Sequence, residues 1–165
     1  MKNWYALYVK SRHEFVTQGE LVRKGISTFL PTVKKLSQWK DRKKLIELPL
    51  FPGYLFVYMQ PYAEGFISVV RTRGAIDLLT AEPGVPSPVP DEEINSLMIL
   101  LESGQKLDIY PELRLGTRVR VKKGPLQGAV GTLESRENQC KFLVNIDMLG
   151  RSVGVMIDAD DIEAD

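Results

Sequence analysis

The amino-acid sequence predicts an α+β protein made of two small domains. Helix-like and strand-like segments alternate over residues 1–103, residues 104–112 lack periodicity and contain Gly and Pro, and short alternating strand patterns fill the remainder. A chain of 165 residues has room for two domains, because domains commonly run from about 50 to 250 residues. We therefore predict a first domain at 1–103, a linker at 104–112 and a second domain at 113–165.

The first domain is predicted to begin with a strand and a helix. Residues 4–9 are uncharged and rich in aromatic and β-branched side chains, which is typical of a strand buried on both faces. Ser11 and Glu14 then form a capping-box pattern for a helix. Phe15 and Val22 lie two turns apart, with Leu21 beside them, and should form its apolar face.

Further elements complete a recognisable order in the first domain. Residues 34–44 are too polar and basic to bury, which predicts an exposed loop or hairpin. Asp91 starts a helix whose apolar stripe should pack on a sheet. The other predicted elements are strands at 45–48, 54–59 and 76–79, a helix at 63–70, and the stripe Ile94, Leu97, Met98 and Leu101. The order β-α-β-β-α-β, with an additional terminal helix, is that of a ferredoxin-like α/β sandwich.

The second domain is predicted to be a small β-barrel. Residues 117–122 alternate between valine and basic side chains, which indicates a half-buried strand, and similar segments follow at 129–134, 140–146 and 151–157. A flat sheet of such short strands would expose one apolar face and two edges. Closure into a barrel removes both problems.

Composition excludes several classes of function. Hydrophobic residues make up 44% of the chain, yet no apolar run approaches the roughly 18 residues of a membrane span, so we expect a cytoplasmic protein. One His and one Cys cannot supply a metal cluster or a nucleophile–base relay, and no phosphate-binding glycine loop occurs. We expect no enzyme activity and no cofactor. The acidic cluster at 158–163 should be a solvated chain end.

Charge is distributed unevenly along the sequence. Residues 1–60 carry 11 Lys and Arg against 4 Asp and Glu, residues 61–112 carry 3 against 9, and residues 113–165 carry 8 against 8. A basic first third favours contact with nucleic acid or an acidic protein, because bound cations release counterions from phosphate. A solvated basic face is an equal alternative at this point.

Two stretches of the sequence resemble the NusG family, in the same order as in that family. WYALYV at 4–9 with LFPGYLFV at 50–57 resembles the family's N-terminal domain. The second stretch resembles the KOW motif and consists of Gly116, Val119, Arg120, Val121, Gly124, Pro125, Leu126, Gly128 and Gly131. The resemblance spans nearly the whole chain and implies an SH3-like barrel for the KOW domain.

The resemblance implies a binding site for RNA polymerase in the first domain. Factors of this type bind the clamp helices of the largest polymerase subunit through an apolar pocket. The matching residues here are Tyr8, Phe51, Pro52, Tyr54 and Phe56. Tyrosines along a strand suit a surface that must be apolar in a complex and soluble without it. The alternative is that the rings are ordinary core, which for Phe56 is equally compatible with the sequence.

Basic residues of the first domain are the candidates for facing DNA. Specialised relatives read the non-template strand near positions that correspond to Lys10, Arg12, His13, Arg71 and Arg73. The basic segment 34–44, with Trp39, is also compatible with nucleic acid, and a solvated hairpin explains it equally well. In the KOW motif, Gly124 and Gly128 should bracket a tight turn that needs either positive φ or close backbone approach, with Pro125 and Leu126 between them. We interpret this turn as structural.

The resemblance therefore implies a monomeric, non-catalytic elongation and antitermination factor. It would bind polymerase through the first domain, suppress pausing and termination, and recruit Rho or a small-subunit ribosomal protein through the KOW domain. The compact first domain and basic hairpin favour a specialised NusG paralogue. The alternative is a ribosome-associated or general RNA-binding KOW protein, against which the neutral charge of the barrel counts.

Overall fold

The computed structural model describes residues 2–39, 41–60, 64–111, 116–136 and 139–165. Ala63, the predicted start of the second helix, and Glu112, the predicted end of the linker, lie outside these ranges, as does the Trp39 side chain. The chain divides into two compact units, residues 1–88 and residues 89–165. No helix in the described ranges is long and apolar enough to span a membrane.

Residues 1–88 form a four-stranded sheet, two helices and a separate two-stranded ribbon. The sheet has the strand order β2-β5-β1-β6, and its neighbouring strands are antiparallel. The elements in chain order are β1 (Asn3–Val9), α1 (Glu14–Arg23), β2 (Ser27–Phe29), β3 (Thr32–Trp39), β4 (Arg42–Pro49), β5 (Tyr54–Met59), α2 (Glu64–Val70) and β6 (Ala75–Leu78).

The two faces of this sheet differ in chemistry because side chains alternate along each strand. One face is mostly aliphatic and packs against Leu21 of α1 and Val69 of α2. Its sheet residues are Tyr5, Leu7, Val9, Leu55, Val57, Met59 and Leu78. The alternate positions of β1 and β5 are mostly aromatic. The helices therefore cover the aliphatic face, and the aromatic side chains occupy the other.

The structure corrects the predicted cap and apolar face of α1. His13 rather than Ser11 is the N-cap, and no side-chain capping bond is made there. Glu14 is buried and accepts a hydrogen bond from the backbone N–H of Gly53. Phe15 and Val22 are exposed, whereas Glu14, Thr17 and Leu21 face inward. Buried hydrogen bonds from polar side chains, rather than apolar spacing, thus decide which face of α1 is covered.

Strands β3 and β4 form a ribbon that pairs with no other strand of the described chain. Their register runs from Thr32 opposite Pro49 to Trp39 opposite Arg42. The backbone N–H of Leu50 donates to the carbonyl of Pro31 across the base of the ribbon. The predicted loop or hairpin at 34–44 is therefore the outer part of a longer hairpin, which also takes in the predicted strand at 45–48.

The described part of residues 89–165 has one α-helix, two short 3-10 helices and a six-stranded antiparallel sheet. The strand order is β12-β8-β9-β10-β11-β7. The elements in chain order are α3 (Asp91–Glu102), β7 (Asp108–Pro111), β8 (Thr117–Val121), β9 (Val130–Arg136), β10 (Gln139–Ile146), β11 (Arg151–Met156) and β12 (Ile162–Ala164). The four predicted strands of this region correspond to β8 through β11.

Helix α3 packs on β9 and β10, so it belongs to the second unit. Ile94, Leu97 and Leu100 are fully buried, and the Ser96 hydroxyl accepts a hydrogen bond of 2.9 Å from the backbone N–H of Val130. The division between the compact units therefore precedes α3, whereas the sequence predicted a boundary after this helix, at residue 103.

Two short strands lie where the sequence predicted a linker and a solvated end. Strand β7 falls inside the predicted linker and pairs with β11. Strand β12 pairs with β8, and Asp165 accepts hydrogen bonds from Arg118 and Arg120. The bond from Arg118 lowers the pKa of the Asp165 carboxyl below its ordinary value. The acidic end is thus attached to a basic strand by complementary charge.

Candidate functional site

A pair of tyrosine rings marks the exposed end of the aromatic face. Tyr8 of β1 lies directly opposite Tyr54 of β5, and their ring centroids are 5.3 Å apart. Tyr8 is 41% exposed and Tyr54 is half-buried. A tyrosine ring offers apolar area together with a hydroxyl group, so this pair can bind an apolar partner and remain hydrated when free.

The turn before β5 packs against the ring of Tyr8. Gly53 has a φ of +89°, and a Cβ built there would lie 3.3 Å from Cε1 of Tyr8. Its carbonyl accepts from the Val9 N–H at 2.8 Å, and its N–H donates to Glu14 at 2.8 Å. Pro52 is exposed beside it. The absence of a side chain at Gly53 therefore lets Tyr8 pack against the turn.

Two of the predicted polymerase-contact residues are buried in the free chain. Phe51 and Phe56 are almost completely covered, and the Phe56 ring stacks on Phe29 with centroids 5.9 Å apart. Tyr8, Pro52 and Tyr54 are the members of the set that reach the surface. The two phenylalanines therefore do not form this surface.

The site residues predicted from the sequence leave out the aromatic residues at the other end of the same face. Trp4 lies opposite Tyr58, with ring centroids 5.1 Å apart, and Phe29 lies 6.3 Å from Trp4. All three side chains are half-buried. The signal that could have found Trp4 is strand alternation, since it lies four residues before Tyr8 and therefore shares its face.

The predicted DNA-facing residues come from two chain segments that the structure brings together. The Lys10 N–H donates to the Gly74 carbonyl at 2.8 Å, and the Thr17 hydroxyl donates to the Arg73 carbonyl at 2.8 Å. Lys24 also donates to the Thr72 hydroxyl at 2.9 Å. These bonds hold the turn after α2 against α1 and the segment before it.

Close backbone packing brings together the predicted DNA-facing residues. We call this group the basic corner: Lys10, Arg12, His13, Arg71 and Arg73. Gly74 has a φ of +87°, and a Cβ there would lie 2.3 Å from Oγ1 of Thr17. Arg12 also has a positive φ, of 64°, which is uncommon for a residue with a side chain. The side chains of Lys10, Arg12, Arg71 and Arg73 are exposed, and His13 is half-buried with Nδ1 2.8 Å from the Ser11 carbonyl.

The corner carries uncompensated positive charge. Among the described residues, no carboxylate forms an ion pair with Lys10, Arg12, Arg71 or Arg73. Four exposed cations with no ion-pair partner among the described residues favour a phosphate-bearing partner.

The KOW-like turn has the backbone geometry that its glycines predicted. Gly124 and Gly128 have φ values of +89° and +94°. The Gly128 N–H donates to the Val121 carbonyl at 2.9 Å, and Leu126 is buried while Pro125 is exposed. Backbone bonding and burial of Leu126 account for this turn as a structural feature.

The described residues contain no group of three His, Cys, Asp or Glu suited to a metal ion.

Comparisons with known proteins agree on one family. The model of the family described as transcription termination factor NusG matches residues 2–98. The Staphylococcus aureus (strain N315) transcription termination/antitermination protein NusG is 31% identical, with 98% of this chain and 95% of that protein covered. The corresponding protein of Halalkalibacterium halodurans is 24% identical over 98% of both chains.

A solved structure supports the same fold. A structure described as domain interaction in Thermotoga maritima NusG matches with a TM-score of 0.55 and 21% identity. The match covers 99% of this chain and 97% of that one.

Proposed function

Because the chain belongs to the NusG family of transcription termination and antitermination factors, we propose that it binds RNA polymerase through the Tyr8–Tyr54 surface. Factors of this family are not enzymes, and this chain is a non-catalytic transcription factor. The observation that carries the proposal is the exposed tyrosine pair beside Pro52, on a sheet face that is mostly aromatic along β1 and β5. Aromatic side chains are enriched at the centres of protein interfaces.

The partner of this surface is the pair of clamp helices in the largest polymerase subunit. Tyr8, Pro52 and Tyr54 contact the helices, and Phe51 and Phe56 hold those residues in place from the interior. In this proposal, residues 1–88 are a ferredoxin-like polymerase-binding domain. The strands of residues 89–165 close as an SH3-like KOW barrel.

The basic corner contacts DNA while polymerase is bound. Its cations Lys10, Arg12, Arg71 and Arg73, with His13, suit phosphates of the non-template strand. The compact first domain and basic hairpin favour a specialised antiterminator that reduces pausing. The KOW domain recruits a second partner, which is Rho or a small-subunit ribosomal protein.

The rival function, RNA binding through the KOW barrel, is disfavoured by charge. Residues 1–88 carry 13 Lys and Arg against 7 Asp and Glu, whereas residues 89–165 carry 9 against 14. Net charge is therefore +6 in the first unit and −5 in the second. A negatively charged unit repels the phosphate backbone, so nucleic-acid contact is better placed in residues 1–88.

Retention on transcribing polymerase tests the proposal. We expect the double variant Tyr8→Ala/Tyr54→Ala to lose about tenfold or more in affinity, because truncating aromatic interface anchors commonly costs about 2 kcal/mol or more. Phe15→Ala is the matched control, since Phe15 is 46% exposed on α1, close to the 41% of Tyr8. It should change affinity by less than about twofold. Equal losses in both variants, or unchanged retention of the double variant, would remove the pocket assignment.

A further inference from the structure

Helix α1 turns polar side chains inward and apolar side chains outward. Glu14 and Thr17 are buried, and both form hydrogen bonds there. The exposed residues of this helix are Phe15, Val16, Gly19, Val22 and Arg23. Only the arginine among them is polar, whereas a surface helix normally presents polar side chains to water. Hydrogen bonding within the chain therefore explains the inward face of α1 but not the apolar composition of its outward face.

The exposed apolar residues of α1 lie next to one another. Phe15, Gly19 and Val22 occupy positions i, i+4 and i+7, so they form one stripe along the helix, and Val16 adjoins it three residues before Gly19. We call these four residues the α1 patch. Phe15 is 46% exposed and Val22 is 58% exposed, so both ends of the stripe are open to solvent. The stripe is about 10 Å long, which is the length of two turns of a second helix.

Gly19 forms a notch in the middle of the α1 patch. A Cβ built at this position would contact nothing within 4 Å, and the backbone there is helical, so nothing within the chain requires a glycine. Glycine is also a poorer helix former than alanine. Between larger apolar side chains, however, it lets a second helix approach α1 closely and pack into the gap. A lipid surface does not need such a notch.

Charge around the patch selects its occupant. Residues 10–24 contain four Lys and Arg against Glu14, which is buried, and Glu20, which pairs with Arg23. Two copies of α1 that crossed antiparallel at Gly19 would bring Arg12 of each copy toward Arg23 of the other, within units of net charge +6. Like charge therefore disfavours a second copy of this chain. Complementary charge favours a helix with acidic residues beside an apolar stripe.

We propose that the α1 patch binds an amphipathic helix of another protein, with acidic residues on both sides of its apolar stripe. Phe15, Val16 and Val22 contact the stripe, which packs into the notch at Gly19. Helix α1 covers the aliphatic face of the sheet, whereas the tyrosine pair lies on the aromatic face, so the two surfaces do not overlap. The proposal does not rest on polymerase binding, and loss of either interaction is an independent result.

Two synthetic helices test the proposal on the full-length chain. The acidic peptide has about 18 residues, enough for a stable helix, with leucines along one stripe and glutamates beside it. The basic peptide has lysine in place of each glutamate. Amide chemical shifts in an NMR titration locate the binding site, and fluorescence anisotropy measures affinity. We expect the acidic peptide to shift the amides of residues 15–23 and to bind about tenfold or more tightly than the basic peptide.

Variants of the patch separate binding from folding. Gly19→Gln fills the notch with a better helix former, so it should not lower the midpoint of thermal unfolding, yet it should weaken binding of the acidic peptide about tenfold. Phe15→Gln/Val22→Gln should weaken binding at least as much, because it removes the apolar anchors. The matched control Ile76→Thr/Val85→Thr changes two apolar side chains of similar exposure outside α1. It should alter affinity by less than about twofold.

Several results would overturn the proposal. Equal affinity for the two peptides, or tighter binding of the basic one, would contradict the choice of occupant. Unchanged affinity in Gly19→Gln, or equal weakening in the control, would contradict the site. A dimer in sedimentation velocity, or adsorption to phosphatidylserine vesicles, that Phe15→Gln/Val22→Gln abolishes would show that a second copy or a lipid surface covers the patch instead. Tyr8→Ala/Tyr54→Ala should bind the acidic peptide as wild type does, whatever its effect on polymerase binding.

Discussion

Individual glycines in residues 1–88 differ in how strictly the structure requires them. Gly74 has a φ of +87°, and an added Cβ would lie 2.3 Å from Oγ1 of Thr17 and 2.9 Å from Cβ of His13. Gly19 lies within α1, and a Cβ there would meet nothing within 4 Å. The first position therefore excludes a side chain through both backbone conformation and space, whereas the second accepts one.

We expect Gly74→Ala to destabilise residues 1–88 by about 2–4 kcal/mol, because it adds a steric clash to the strain of positive φ. Gly19→Ala should stabilise them by about 0.5–1 kcal/mol, because Ala is the better helix former. Urea unfolding followed by tryptophan fluorescence measures both, since Trp4 and Trp39 lie in this unit. A Gly74→Ala midpoint equal to wild type would contradict the close packing of the basic corner.

Residue-level prediction succeeded where the cause was local. The positive φ values expected at Gly124 and Gly128 are confirmed, because a Gly-Pro turn carries its own signature in sequence. The requirement at Gly74 arises from Thr17 and His13, which are distant along the chain. Likewise, burial of Phe56 depends on Phe29 from another strand. Neither contact could be read from local spacing.

Among the elements, α3 depends on one buried polar contact with its sheet. Ser96 is buried on the helix, and its hydroxyl accepts from the Val130 N–H at the start of β9. The first turn adds two exposed contacts, with Arg118 bonded to Glu92 and the Asp147 N–H donating to Glu93. Exposed ion pairs contribute little, so Ser96 is the polar contact that best fixes the position of α3.

Ser96→Ala should destabilise residues 89–165 by about 1–3 kcal/mol, because the Val130 N–H would remain buried without an acceptor. Amide hydrogen exchange read by NMR should show faster exchange at Val130 than in wild type. Asn95→Ala, an exposed change on the same helix, should leave that exchange rate unchanged. Unchanged protection of Val130 in Ser96→Ala would mean that α3 does not depend on this bond.

Elements with strong periodicity were predictable, and short polar ones were not. The strands β8 to β11 were found from alternating apolar residues, whereas β7 and β12 contain Pro or acidic residues and gain stability only by pairing with β11 and β8. The same limit applies to α1, whose inward face includes Glu14 and Thr17 because their partners lie elsewhere in the chain. Sequence alone cannot supply such tertiary partners.

Across the whole molecule, charge separates by unit. The net charge is +6 in residues 1–88 and −5 in residues 89–165, although the chain as a whole has a net charge of +1. The basic corner belongs to the first unit. In the second unit, Arg118, Arg120 and Lys123 pair with acidic side chains. Basic residues of the KOW-like strand thus have intramolecular partners, which lowers their availability to phosphate.

Removing two cations from each unit in turn distinguishes the proposed function from RNA binding through the KOW barrel. Arg71→Gln/Arg73→Gln and Lys122→Gln/Lys123→Gln each remove two exposed cations, so the net charge of the full chain falls equally. Anisotropy with a single-stranded RNA of about 20 nucleotides and a DNA strand of the same sequence measures affinity, since both exceed the site size of a small binding domain. We expect about a tenfold reduction for the first variant and less than about twofold for the second, because the corner cations have no described carboxylate partner and lie in a positively charged unit. A larger reduction of RNA affinity in Lys122→Gln/Lys123→Gln would instead place recognition in the KOW domain and favour a general RNA-binding protein.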